Sequence, residues 1–293
     1  MLTKLTHRAI VVFTLISSLM AQGGGYALDF DGANDYVNTT YSGISGNNDR
    51  TVEVWVKTSA AGVNFITEWG VQQINQRFTV TVTSSKLRVE FAGGGLSGST
   101  NVNDGLWHHL VATHSSTSSP STKLYIDGNL EATASFTINT SSSGNVLVGK
   151  SAYWSEREFD GSIDEVRIWS VARTATQIAD NIHVLLDGDE TGLEAYYKMS
   201  DGSGTTVTDN SENSNTGTMV NMDNNDWITS YAPISTLTSG YTTDTEALWK
   251  GSGTSASDAS DGLTMVVGTA LTDANFAVFG NNNTAGTSTS DLP

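Results

Sequence analysis

The sequence predicts an all-β protein, a two-sheet antiparallel sandwich with one short helix, and three observations carry that prediction. Charged residues make up 15% of the 293-residue chain, against about 25% in ordinary soluble proteins, which argues against long charged helices. Ser, Thr, Asn and 29 glycines are plentiful and punctuate the chain with turn signals. Between them lie short apolar runs, several with the period of two that places alternate side chains on one face of a strand.

The elements follow in order. Residues 26–37 alternate around Asp31-Gly32, which predicts two strands and a turn. Thr51–Lys57 is stricter, with Val52, Val54 and Val56 on one face and Thr51, Glu53, Trp55 and Lys57 on the other. Runs at 78–82, 87–91, 107–113, 124–126, 136–138, 146–148 and 163–169 continue the pattern. A helix is predicted from Arg173 to about Leu186, with Thr174 and Gln177 at capping-box spacing and Ile178, Ile182 and Leu185 or Leu186 on one face, packed on the edge of the sandwich. Leu193–Met199 resumes the strand signal, a polar stretch covers 201–218, and the domain 26–233 closes after Trp227. Residues 234–240 form a Ser/Thr-rich linker. The 241–293 segment reads as a partial or accessory β module, near the lower size limit for a core without disulfides or metal.

Charge and composition narrow the function. Thirty-one Asp and Glu against 14 Lys and Arg give a net charge of -17, which repels nucleic acid and anionic membrane surfaces. The chain has no cysteine, so it carries no disulfide, thiolate zinc site or catalytic thiol. Lys4, His7 and Arg8 before the apolar run 9–20, ending at Ala21, read as a cleaved signal peptide 1–21, with no membrane insertion after its removal. The chain is therefore expected to be secreted or held at a cell surface.

Four segments in order carry a family likeness: Ala27–Val37, Gly105–Thr113, Lys123–Asn129 and Phe159–Thr174. Together they make residues 26–232 resemble the laminin-G-like, concanavalin-A-like jelly roll domains of secreted bacterial surface proteins, relatives of the pentraxins. The resemblance implies two jelly-roll sheets, an architecture that hosts lectins, adhesion modules and glycan-cleaving enzymes alike.

Enzymes of this architecture carry acids as Glu-x-Asp followed by Glu on one strand. The nearest match is Glu158-Phe-Asp160-Gly-Ser-Ile-Asp164, interrupted by Gly-Ser and ending in a shorter acid. His108 and His109, adjacent on a strand, point to opposite faces and cannot share a metal. The resemblance places a structural Ca²⁺ at Asp164, with Asp29 or Asp31 as companions from the neighbouring N-terminal strand. The alternative is that these aspartates cap turns. The pentraxin calcium pair has no counterpart, because Lys150-Ser-Ala-Tyr-Trp154 lacks its acids.

That same segment offers Tyr153 and Trp154 beside Glu156, Arg157 and Glu158, suited to stacking on a sugar and bonding its hydroxyls. Trp69 is a second candidate, whereas Trp55, Trp107 and Trp169 are taken as covers of the core. The expected function is a non-catalytic recognition or adhesion module, binding glycan or another cell-surface polymer, with other domains of a larger protein as neighbours. A polysaccharide-active hydrolase or lyase is the alternative, and a ligand-free spacer a third reading.

Overall fold

In the computed structural model, which describes residues 25–234, the alternating Val52–Val56 segment forms the middle of a sheet. The expected signal peptide 1–21, the linker beyond Ile234 and the C-terminal module 241–293 lie outside the described residues. Apart from His183–Leu185, the described residues form one compact unit, and the sandwich lies within it.

One eight-stranded sheet runs β10 (Asn129–Ala134), β9 (Thr122–Ile126), β8 (Trp107–His114), β3 (Arg50–Lys57), β12 (Asp160–Trp169), β1 (Tyr26–Asp31) and β16 (Trp227–Thr229). The long β12 shares one edge between β1 and the eighth strand, β13 (Leu193–Tyr197). The second sheet runs β14 (Thr206–Val207), β15 (Gly217–Val220), β2 (Tyr36–Thr39), β11 (Leu147–Val148), β4 (Val63–Gly70), β5 (Arg77–Thr83), β6 (Lys86–Glu90) and β7 (Gly95–Asn101). The pairings between these strands are antiparallel. Val52, Val54 and Val56 of the first sheet and Phe78, Val80 and Val82 of the second share one buried core. Burying each such side chain is worth roughly 1.5 to 3 kcal/mol.

Both outer faces are also largely closed. On β3, Glu53 and Trp55 are as buried as the valines between them. The cover is helix α1 (Ala175–Asn181), which lies toward the edge strand β10, as expected, and whose Ile178 packs on Val111 and Tyr125 of the first sheet's outer face. Thr174 caps it in a capping box with Gln177, as its spacing predicts. The helix stops well before Leu186 because donors from the sheet take its last carbonyls. Arg167 donates to Asn181 O at 3.0 Å and Trp55 Nε1 to Ile182 O at 3.1 Å.

Other departures have local causes. The 136–138 run is a loop: Phe136 N donates to Ser121 Oγ and Ile138 N to Asn47 Oδ1, so side chains replace a partner strand. The register of β4 against β5 shifts between Phe65 and Thr67, a bulge that breaks the period of two and hides this strand from pattern reading. The strands β7 and β10 are mostly polar edge strands with no apolar alternation to announce them.

Candidate functional site

The segment 149–159 leaves β11 and returns to β12 as a loop laid on the outer face of the second sheet. Its neck is closed by Phe159 N donating to Gly149 O at 2.8 Å, and Gly149 N donates to Ile66 O at 2.9 Å. Further along, Phe65 N donates to Arg157 O at 3.1 Å. The main anchor is Glu68 of β4, which accepts from Ala152 N at 2.8 Å and from Ser151 Oγ at 2.8 and 2.9 Å. Glu68 is sealed by the loop, and burial pushes its carboxyl above the usual range despite these bonds and Arg77 at 3.4 Å.

What this anchoring presents is aromatic. Tyr153 is 42% and Trp154 39% exposed, side by side at the top of the loop. The Tyr153 hydroxyl donates to Gly70 O at 3.1 Å, so its ring is held while its face stays open. Only glycine fits at position 70, where φ is +90° and a Cβ would lie 2.2 Å from Gln76 O. The Arg157 guanidinium sits over the Trp154 ring, 4.7 Å from its centroid. Lys150 reaches Glu158 at 3.7 Å, and Glu158 also accepts from Arg157 N, so this acid is turned in and buried.

Trp69 is corrected. It is 1% exposed, stacks on Phe78 with ring centroids 4.8 Å apart, and donates from Nε1 to Ile44 O. It is a core side chain, and the residue of Thr67-Glu-Trp-Gly70 that anchors the 149–159 loop is the neighbouring Glu68. The two are adjacent on one strand and face opposite ways, so choosing between them requires knowing the register, which the bulge conceals. Trp55 and Trp169 are buried, and Trp107 is half-buried.

The acidic candidates are spread over different surroundings. Asp160 opens β12 and is exposed. Asp164 is fully buried on the outer side of the first sheet, accepting from Ser230 Oγ and from Glu165 N. Burial, then the adjacent Glu165, pushes its carboxyl well above the usual range. Asp29 accepts from Ser162 Oγ at 2.9 Å, and Asp31 accepts from Ala33 N and Asn34 N, capping its turn. Ca²⁺ takes 6 to 8 oxygens at about 2.3 to 2.6 Å. Among the described residues no three His, Asp or Glu side chains are grouped to hold a metal. Asp164, Asp29 and Asp31, each already bonded within the protein, do not fit that ion.

On the first sheet, His109 lies against Glu53 while His108 bridges Asp104 and Asp127. Glu53 is fully buried, and against the desolvation that would raise it, its carboxyl is lowered to about 2 by His109 at 3.4 Å, Arg173 at 2.5 Å and Arg167 together. Beside it Arg167 pairs with Glu165 at 2.6 Å, and Tyr196 donates to the same carboxylate. The side chains of this network are buried.

Comparison with known proteins bears on the fold. The family model of the concanavalin A-like lectin/glucanases superfamily matches residues 31–179, just over half of the chain. No curated relative matches the sequence. Among solved structures, a candidate carbohydrate binding protein from Bacteroides ovatus superposes with a TM-score of 0.58 at 22% identity, covering 72% of this chain and 61% of that one. The chain thus spans about three fifths of that relative. The heptameric SAP-like pentraxin from Limulus polyphemus gives 0.44 at 16% identity, over 53% of this chain and 81% of its own. The CBM40 of a Ruminococcus gnavus sialidase gives 0.43 at 14%, over 52% and 94%. These identities speak to fold alone.

Proposed function

We propose that this chain, which belongs to the concanavalin A-like lectin/glucanases superfamily, is an exported module that recognises glycan without cleaving it. The observation that carries the reading is the pair Tyr153 and Trp154, exposed on a loop whose backbone is fixed by Glu68 and Gly70. A sugar face stacks on such rings at little ordering cost, because the platform is already held in place. The fold shared with the Bacteroides ovatus candidate carbohydrate binding protein is compatible with this reading. Export is supported by the N-terminal sequence pattern, and no helix among the described residues is long and apolar enough to cross a membrane. Attachment to other domains of a larger surface protein or extracellular enzyme belongs to the proposal.

The non-catalytic part rests on the carboxylates. Two-carboxylate hydrolysis needs a pair about 5 to 5.5 Å apart, or a wider one that admits water, reaching the bond from open positions. Glu158 is engaged by Lys150 and Arg157 N, and Asp164 is sealed behind Ser230. A structural calcium ion is left out of the proposal, because its three aspartates do not fit it.

A glycan array of the mature chain, followed by titration of the best binder, tests this. Trp154→Ala should lose about 1 to 3 kcal/mol of sugar affinity with an unchanged melting temperature. Loss of folding in that variant would return Trp154 to a structural role. Release of reducing ends or unsaturated sugars from a polysaccharide panel would overturn the non-enzyme reading, with Glu158→Gln the first variant to make.

A further inference from the structure

Six arginines lie among the described residues, and the guanidinium groups of five are engaged by ion pairs or hydrogen bonds. Arg77 pairs with Glu68 and Glu90, Arg88 with Glu90, Arg167 with Glu165, and Arg173 with Glu53. Arg50 is buried and donates to the carbonyls of Ile44, Ser45, Gly46 and Asn48 and to Thr140. Arg157 is the exception: among the described residues its guanidinium makes no ion pair and no hydrogen bond, only the contact with the Trp154 ring.

That exception is unexpected in a chain with 31 acids and 14 bases, where carboxylates are abundant. Acids even flank it in sequence. Glu158 is turned inward to Lys150 and accepts from the Arg157 backbone instead of its side chain, and Glu156, in the left-handed region at φ 62°, makes no ion pair with it. The loop therefore leaves a planar five-donor fork exposed and held against an exposed indole.

We propose that the glycan taken by this platform carries a carboxylate, as a uronic acid does, and that Arg157 is the residue that selects it. This deepens the reading of Tyr153 and Trp154 as a sugar platform and rests on it. A pyranose laid on the indole places its ring substituents beside the guanidinium, whose paired N–H groups match a carboxylate in a two-bond geometry that a neutral hydroxymethyl group does not offer. The net charge of -17 opposes an acidic polymer at long range. At physiological salt that field is screened beyond about 8 Å, so the nearest cation dominates at contact.

The test uses the full mature chain and a set of oligo-hexuronates, each paired with its methyl ester, which keeps the ring and removes the charge. The acid form should bind about tenfold or more tightly than the ester. Arg157→Gln should erase that preference at unchanged melting temperature, so that acid and ester bind alike, and Trp154→Ala should weaken both forms. Equal binding of acid and ester, or a preference that survives Arg157→Gln, overturns the inference. Binding of neutral glycans alone overturns it too, yet leaves the glycan-recognition reading standing, whereas absence of binding to every sugar removes both.

Discussion

The two outer faces of the sandwich use the same device to opposite ends. Each carries charged side chains on a central strand, Glu53 on β3 and Glu68 on β4, and each buries its glutamate beneath a covering segment. On the first sheet the cover is α1, which turns Ile178 down and has its final carbonyls met by Arg167 and Trp55. On the second sheet the cover is a loop that turns its polar groups down to Glu68 and its aromatic rings out. Burial of charge is therefore no sign of function here. The direction in which the cover points its apolar groups distinguishes the two faces.

The largest effect is expected on the closed face. Glu53→Ala leaves Arg173 and part of Arg167 as buried charges without their carboxylate, a change that costs about 3 to 5 kcal/mol in comparable networks. Denaturant unfolding measures it, and sugar affinity per folded molecule should be unchanged. A loss below about 1 kcal/mol would mean that water reaches the network, and the contrast between the faces would fail.

On the other face, Glu68→Ala should cost less, about 1 to 3 kcal/mol, by leaving Ala152 N and Ser151 without their acceptor. Unlike Glu53→Ala it should also weaken sugar binding, because the platform loses its anchor. The two glutamates further differ in the sign of their pH dependence. Glu53 titrates lower in the folded chain, at about 2 against an ordinary 4.5, so its stabilisation is present above pH 4.5 and disappears as pH falls toward 2. Glu68 is shifted upward by burial, so the folded state holds its proton more readily. Its contribution therefore worsens as pH rises from 4.5 through the raised value. Relative to the parent, Glu68→Gln should accordingly fare better at pH 8 than at pH 4, and Glu53→Gln better near pH 3 than near pH 5. Parallel unfolding curves across that range check both, and equal slopes would remove the distinction.

The sequence shows one side of this contrast more clearly than the other. The valines of β3, the Asp31-Gly32 turn and the Thr174–Gln177 cap are local signals, and each is where its pattern places it. The platform residues Tyr153 and Trp154 were visible as exposed-loop aromatics because they stand among polar residues. What holds them was not. Glu68 sits on a bulged strand without regular alternation, and its partners Ser151 and Ala152 lie more than eighty residues away, so nothing local reveals the pairing. The same bulge made Trp69 look like a surface residue. On the closed face the glutamate of Thr51–Lys57 reads as a solvent-side residue until a helix more than a hundred residues later covers it.

The smallest effect concerns calcium, and it follows from the closure of the first face. Asp164 lies opposite Trp55 in register and shares its outer face, so the ion expected from the sequence would have to enter a surface already sealed. Each Asp164 oxygen already accepts a hydrogen bond, one from Glu165 N and one from Ser230 Oγ. Asp29 and Asp31 are held by Ser162 and by their own turn. A ligand raises stability only if the folded state binds it, so neither Ca²⁺ nor a chelator should move the melting temperature measurably. Thermal unfolding in both conditions decides the matter. A rise with Ca²⁺ that Asp29→Asn removes would show that these oxygens rearrange around an ion, and the first face would then be less closed than its side-chain partners make it.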